Sequence, residues 1–302
     1  MDLHTTGRSA GPSPCPDDRR QALAAVAGRL RCPHCHASPL RLAGREVACP
    51  AGHRFDTARQ GYVSLLTGRG PRHRGDGPAM VAARERFLGR DHYRPLRSTV
   101  TALAAEHAPP GLELAVDLAG GTGHYLGSLL DAQPSAWGAT IDLSTPALRR
   151  AARAHRRATA LGADIRRPLP VTPGAAGVVL SVFGPRPADE IRRVLAGDGV
   201  LVVANALPGH LHELRGRLGA LGVDPGKLAR LHDAFRGFEP VAEQRVTWRL
   251  ALDHHDVEDL ALMGPSAHHL DPERVRATVE ALPALLGITA AMQVTVLRRP
   301  RR

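Results

Sequence analysis

Four ligand-type residues crowded into one short stretch constrain the N-terminal third of this chain more than any other feature. In LRCPHCHASPLRLAGREVACPAGHRFD, Cys32 and Cys35 form a CxxC pair, and after thirteen residues Cys49 and His53 follow as C-x3-H. Tetrahedral zinc takes four such ligands at about 2.0–2.3 Å, and two short pairs on separate knuckles present them that way. Pro33 and Pro50 each follow the first cysteine of a pair, where a fixed φ helps bend the backbone around a metal. A segment of about forty residues with so few large apolar groups does not fold unaided. Metal binding supplies the missing folding energy. The other readings are buried free thiols or a redox CxxC, and the latter needs a βαβ context that this segment lacks. His34 and His36 are alternative donors inside the first knuckle; His53 is preferred because its spacing mirrors the first pair. Four ligands close the shell, so the zinc is expected to be structural. Cys15 stands apart in a Pro/Gly-rich tail, with no partner expected.

Composition narrows the setting. Four cysteines are too few and too oddly placed for a disulfide scaffold. No apolar run reaches the ~18 residues that span a bilayer. Arg, Asp, Pro and Gly interrupt the first thirty residues, where a signal core would lie. A cytoplasmic protein, neither membrane-bound nor secreted, is expected. Basic residues exceed acids by 11 over the chain. Residues 1–110 carry 17 Arg against 9 acids, whereas residues 111–302 carry 23 basic groups against 20 acids. A positive field gathered in the first third suits a polyanion, nucleic acid above all. A merely solvated basic face is the alternative.

Residues 1–29 read as a disordered tail, within which DDRRQALAAVAGRL could make a short helix. The zinc-binding module takes residues 30–68. A basic linker and helix follow over 69–106: TGRGPRHRGDGPAM is flexible, and 78–106 read as helix with Met80, Ala83, Phe87 and Leu88 on one face. Over 107–302 strands and helices alternate. LELAVDLAG, SAWGATIDLS, ATALGAD, GVVLSVFG and GVLVVANAL are strands; HYLGSLLDA, TPALRRAARAH and PADEIRRVLA are helices. That order predicts a doubly wound α/β sheet. QRVTWRLAL and ITAAMQVTVLRR would complete it as a hairpin-like pair.

The turn VDLAGGTGHY is the decisive element for chemistry. A strand ends at Asp117, and Gly120, Gly121 and Gly123 let the backbone bend tightly against a ligand. Alone, such a turn is shared by many nucleotide folds. An acid before the glycines, however, is what a phosphate binder avoids. Asp142 ends the next strand, suited to a ribose diol, and Asp164 ends the third, suited to the exocyclic amine of adenine. Three acids at successive strand ends match the ammonium, ribose and adenine of S-adenosylmethionine better than they match NAD. Ala119, His124, Tyr125 and Leu143 flank these positions and join the candidate cofactor site. The glycines as a plain tight turn, with the acids as helix caps, remain the structural alternative.

The combined motifs are specific. CPxC, CPAGHRFDTARQGYVSLL and GDGPAMVAARERFLGRDHYRPL resemble the RlmA family of bacterial 23S ribosomal RNA guanine-(N1)-methyltransferases, from Leu30 to about Arg299. VDLAGGTGHY, IDLSTPALRRAARAH, VFGPRPADEIRRVL and MGPSAHHLDPE look closest to its tylosin-resistance branch. The resemblance implies a zinc module that grips an RNA hairpin and a Rossmann-like class I methyltransferase domain holding S-adenosylmethionine. It further implies a target guanine near the macrolide site, and a homodimer. Carried over by position, the zinc ligands are Cys32, Cys35, Cys49 and His53, and the cofactor residues include Asp117, Gly121, Gly123 and Asp142. The chain departs from the family pattern at Ala119, where glycine is usual, and at Gly184, where alanine is usual. Ala119 is tolerable if its φ stays negative.

Methyl transfer from a sulfonium is an in-line displacement governed by positioning. Phe183 and Pro185, in the loop after the fourth strand, are expected to face the target base, with Arg186 near a phosphate or guanine O6. Arg54, Arg59, Arg69, Arg72, Arg74 and Arg84 are the expected phosphate contacts. His254–His255 and His268–His269 read as loop polar residues, with His268 or His269 as candidates for the crevice wall. Two alternatives stand beside the rRNA enzyme: a small-molecule methyltransferase, and a non-catalytic or retargeted RNA-binding paralogue.

Overall fold

The computed structural model describes residues 13–68, 75–215, 217–218 and 227–300. Aromatics are 3% of the chain, so the sheet is built from Ala, Val, Leu and Ile. Its central strands are β5 (Leu114–Leu118), β6 (Trp137–Asp142), β7 (Ala158–Gly162), β8 (Ala176–Val182) and β9 (Leu195–Ala206). β5 and β7 are buried at every position, as strands covered on both faces must be. β5, β6, β7, β8 and β9 run parallel. β11 (Leu285–Arg298) returns antiparallel to β9, and β10 (Glu239–Asp253) pairs antiparallel with β11 at the far edge. The order across the sheet is β10-β11-β9-β8-β5-β6-β7, closed at the other edge by β4 (Val63–Ser64). The strand order reverses between β5 and β8, and the crevice beyond their carboxyl ends is where such sheets bind ligands. The expected Rossmann-like, doubly wound α/β architecture is present. No helix among the described residues is long and apolar enough to cross a membrane.

The last member of that order, β4 (Val63–Ser64), belongs to the zinc-ligand module. It pairs in parallel with β7, and the Leu65 N–H donates to the Gly162 carbonyl at 2.8 Å. The rest of the module is a three-stranded antiparallel sheet of β1 (Arg41–Ala43), β2 (Glu46–Ala48) and β3 (Arg54–Asp56). Leu30 bridges to Val171, and the Arg31 guanidinium donates to the Leu169 carbonyl at 3.1 Å. The module is therefore stitched to the sheet at more than one point.

The reading of residues 1–29 as a disordered tail fails over its second half. α1 (Pro16–Ala27) buries Ala22, Leu23, Val26 and Ala27 in the core beneath the module. Cys15, expected to be idle, caps this helix: its sulfur accepts from the Asp18 N–H at 3.4 Å, and the Asp18 carboxylate accepts from the Cys15 N–H at 2.9 Å. The single helix expected over 78–106 is two, α2 (Pro78–Gly89) and α3 (Arg94–His107). Asp91 in the left-handed region, with φ of 62°, breaks it, and Pro95 starts the second helix without an N–H to satisfy.

α4 (His124–Ala132), α8 (His254–Leu262) and α9 (Pro272–Glu280) cover one face of the sheet together with α3, sharing a core that includes Leu96, Leu126, Val257 and Val279. The opposite face carries α1, the zinc-ligand module, α6 (Ala188–Val194) and α7 (Lys227–Ala234). α5 (Thr145–Ala151) packs Leu148 and Ala151 against Ala160 of β7. The hairpin-like pair expected near the C-terminus forms, although α8 and α9 lie between its strands.

Candidate metal centre and cofactor crevice

Among the described residues, Cys32, Cys35, Cys49 and His53 bring one ligand atom each to within 4.8 Å of the others. The two knuckles are shaped by backbone bonds. The His36 N–H donates to the Cys32 carbonyl at 2.9 Å, and the Gly52 N–H donates to the Cys49 carbonyl at 2.9 Å, with Gly52 at φ of 89°. Cys35 and Cys49 sulfurs lie 3.4 Å apart. The Ala37 N–H, helped by Cys49, draws the Cys35 thiol down to about 7, toward the thiolate a metal needs. The buried Nδ1 of His53 has no hydrogen-bond partner. Of the alternative donors, His34 stacks on His53 with ring centroids 4.9 Å apart, and exposed His36 stays outside the group. Three sulfurs and one imidazole in this arrangement fit a closed, structural zinc site.

The crevice is built around the bend that follows β5. Gly121 and Gly123 have φ of 57° and 78°, values open to glycine at no steric cost. A Cβ on Gly120 would fall 2.6 Å from Cγ and Oδ2 of Asp117, so only a bare backbone closes over that carboxylate. Asp117 is 1% exposed, and neither of its oxygens has a hydrogen-bond partner. Burial, aided by the neighbouring Asp142 charge, pushes its carboxyl up to about 8. A carboxylate kept in this way calls for a cation or a proton, and the ammonium of S-adenosylmethionine fits. Asp142 does more than the sequence suggests. Its Oδ2 accepts from the Gly121 N–H at 2.9 Å and its Oδ1 from the Ser144 N–H at 2.8 Å, tying the bend to the end of β6. Asp164 lies beyond β7 and accepts from the Arg166 N–H at 3.0 Å. His124 packs edge-on against Tyr125, whose buried hydroxyl lacks a partner. Leu143, half-buried, lies under Gly75, whose missing Cβ would sit 3.0 Å from its carbonyl carbon.

Ala119 does not keep a negative φ; its value is 52°. The turn demands left-handed backbone there, and the methyl group is accommodated from the next strand. A Cβ on Gly184 would lie 3.1 Å from the Ala119 Cβ. It would lie equally close, 3.1 Å, to the Leu118 carbonyl oxygen, so Gly184 makes room both for the Ala119 methyl and for the backbone of the turn. Gly184→Ala alone is expected to cost about 1 kcal/mol, and adding Ala119→Gly to recover the share due to the Ala119 methyl, the contact with the Leu118 carbonyl oxygen remaining. Thermal melts of the four proteins of this cycle measure that coupling.

Phe183 is 36% exposed at φ of 62°, and Pro185 beside it is exposed. Arg186 is not a free loop charge: its Nη2 donates to Asn205 Oδ1 on β9 at 2.6 Å. Arg54 and Arg59 are exposed on the module, Arg54 paired with Glu46 at 2.7 Å. Arg69, Arg72 and Arg74 lie outside the described residues. Arg84 is not with Arg54 and Arg59 but at the crevice, against Gly121. His268 also reaches it, 3.5 Å from Asp76, whereas His254 lies away from it at the start of α8, its Nε2 donating to the Leu282 carbonyl at 3.0 Å. Sequence reasoning missed Asp76, Asn205 and the pair Tyr93–His210. The Tyr93 hydroxyl lies 3.4 Å from His210 Nε2, and burial presses that imidazole down to about 4. Nothing in the spacing links those two positions.

Comparison with known proteins agrees in both halves of the chain. A family model described as RlmA, N-terminal, matches residues 30–69. The 23S rRNA (guanine(748)-N(1))-methyltransferase of Streptomyces fradiae is 42% identical over 271 residues, covering 89% of this chain and 96% of that one. A Micromonospora griseorubida protein named for the same guanine-N(1) reaction is 46% identical over 287 residues, covering 89% and 97%. YxjB of Bacillus subtilis is 33% identical over 193 residues, covering 62% and 67%. The chain belongs to the RlmA family of 23S rRNA (guanine-N(1)-)-methyltransferases.

Proposed function

We propose that this protein transfers a methyl group from S-adenosylmethionine to N1 of a guanine in a 23S rRNA hairpin loop near the macrolide site. The observation that carries the reading is the partnerless Asp117 carboxylate beneath a bare glycine bend at the sheet's switch point. S-adenosylmethionine, when bound, supplies an electrophilic methyl on a positive sulfonium. The chain's own residues then bind and orient. Asp117 and Asp142 face the donor, and Phe183, exposed at the end of β8, offers a ring for an unstacked base. Arg186, braced by Asn205, is aimed to take charge at guanine O6 as the N1 proton leaves. Residues 30–68, with their zinc, grip the RNA through Arg54 and Arg59, and residues 107–302 carry the chemistry. The protein works in the cytoplasm as a homodimer, and macrolide resistance is the consequence for the cell.

Primer extension on ribosomal RNA from cells with and without the protein tests this. N1 methylation blocks base pairing, so reverse transcription is expected to stop at one guanine only where the protein is present. Identical traces would sink the proposal.

A further inference from the structure

Arg84 belongs to α2, yet its guanidinium reaches the bend that follows β5. Nη1 lies 3.2 Å and Cδ 3.7 Å from where a Cβ on Gly121 would stand. Nη2 is occupied by Asp76 Oδ2 at 2.6 Å and the Met263 carbonyl at 2.5 Å. Nη1 makes no hydrogen bond among the described residues. Asp76 is itself anchored. The Ser144 hydroxyl donates to its carbonyl at 2.6 Å, and His268 Nε2 stands 3.5 Å from Oδ1. The segment cannot lift easily, because Gly75 rests so close on the end of β6 that a Cβ there would lie 2.7 Å from the Ser144 nitrogen. A planar fork held along one edge presents its remaining N–H groups in a fixed direction.

Charges of both signs gather at the bend: Asp142 takes the Gly121 N–H and Asp76 pairs with Arg84 Nη2, which leaves Asp117 and Arg84 Nη1 without protein partners among the described residues. Asp117 lies beneath Gly120, and Arg84 stands beside Gly121. A ligand whose end carries an ammonium and a carboxylate meets both complements there. An RNA phosphate is a poorer match, because the Arg84 side chain is only 22% exposed and wedged between the bend and Met263. We propose that Arg84 holds the α-carboxylate of the methyl donor through Nη1, with Asp76 as the positioning residue that aims it. This rests on the S-adenosylmethionine reading above.

Calorimetry on the full, zinc-loaded chain tests it with two ligands. S-adenosylhomocysteine carries the amino-acid end; 5′-methylthioadenosine keeps the adenosine and the thioether without it. Arg84→Gln is expected to weaken the first about 30-fold, the worth of a charge-assisted hydrogen bond, and to leave the second within about 2-fold of wild type. Arg84→Lys keeps the charge without the fork and is expected to fall between, and it supports the same comparison if the glutamine variant does not fold. Affinity for the RNA hairpin should not move. Unchanged S-adenosylhomocysteine binding in both variants overturns the assignment. So does an equal loss for both ligands, which marks general distortion, and so does a loss confined to the hairpin, which marks a phosphate contact. A wild-type chain that binds neither ligand instead overturns the methyl-donor reading on which the assignment rests.

Discussion

Stripping the metal with a chelator is expected to unfold residues 30–68 and abolish methylation of the RNA hairpin. Structural zinc in small modules is worth on the order of 10 kcal/mol of folding free energy, and the strands here are three residues or shorter. The ligands are also core residues. Cys32 is fully buried and Cys49 is 6% exposed, and both pack in the cluster that holds Leu40, Val47 and Phe55. Cys49→Ser is expected to lose the bound zinc and to share the chelated protein's behaviour. Hydrogen exchange resolved by peptide, alongside metal content, measures it. Amides of residues 46–56 should lose protection first, then Leu65 where β4 leaves β7. Full protection in the metal-free protein would contradict a structural zinc.

Asp117→Asn is expected to raise the stability of the ligand-free protein at pH 8 while lowering methyl transfer by about 100-fold or more. In the unfolded chain this carboxyl titrates near 3.8; in the folded chain burial holds it at about 8. Folding therefore takes up a proton between those values. The favourable contribution is full below about pH 4 and is lost as pH rises through 8. At about 1.4 kcal/mol per pH unit of difference, the span is on the order of several kcal/mol. Asparagine removes this titration and with it Asp117's share of the slope. Melting temperatures from pH 4 to pH 9, for both proteins, check the sign. Saturating S-adenosylhomocysteine should flatten the wild-type slope as well, since an ammonium stabilises the ionised acid. Equal slopes for the wild type and Asp117→Asn without ligand would mean that Asp117 is solvated, since buried His210 and the other groups contribute alike to both proteins.

Much of this was legible in the residues. The zinc quartet is a local pattern, with each pair inside a knuckle of a few residues, so spacing alone nearly determines the geometry. The strand ends at Asp117 and Asp142 read clearly because apolar runs stop there against glycine and serine. What escaped depends on distant surfaces meeting. α1 is short, and only contact with the sheet explains why Leu23 and Val26 are buried. Two-residue β4 has no periodicity to read. Charge counting assigned Arg84 to the RNA, whereas Asp76 and the Met263 carbonyl turn it toward Gly121. Ala119 shows the limit from the other side. Its positive φ, and the room that Gly184 leaves for its methyl, exist only once β5 and β8 stand side by side.

The two-residue pairing of Val63 and Ser64 with Leu161 and Gly162 has a mechanical consequence. A module sewn to the rim of a sheet cannot swing like a hand on a tether; it travels with the sheet as one jaw of a caliper. If the module grips the RNA as proposed, the separation between a helical stem seated on it and the bend at Gly121 is thereby set in advance. A hairpin one turn too long or too short would reach the right groove and still hold its base out of reach.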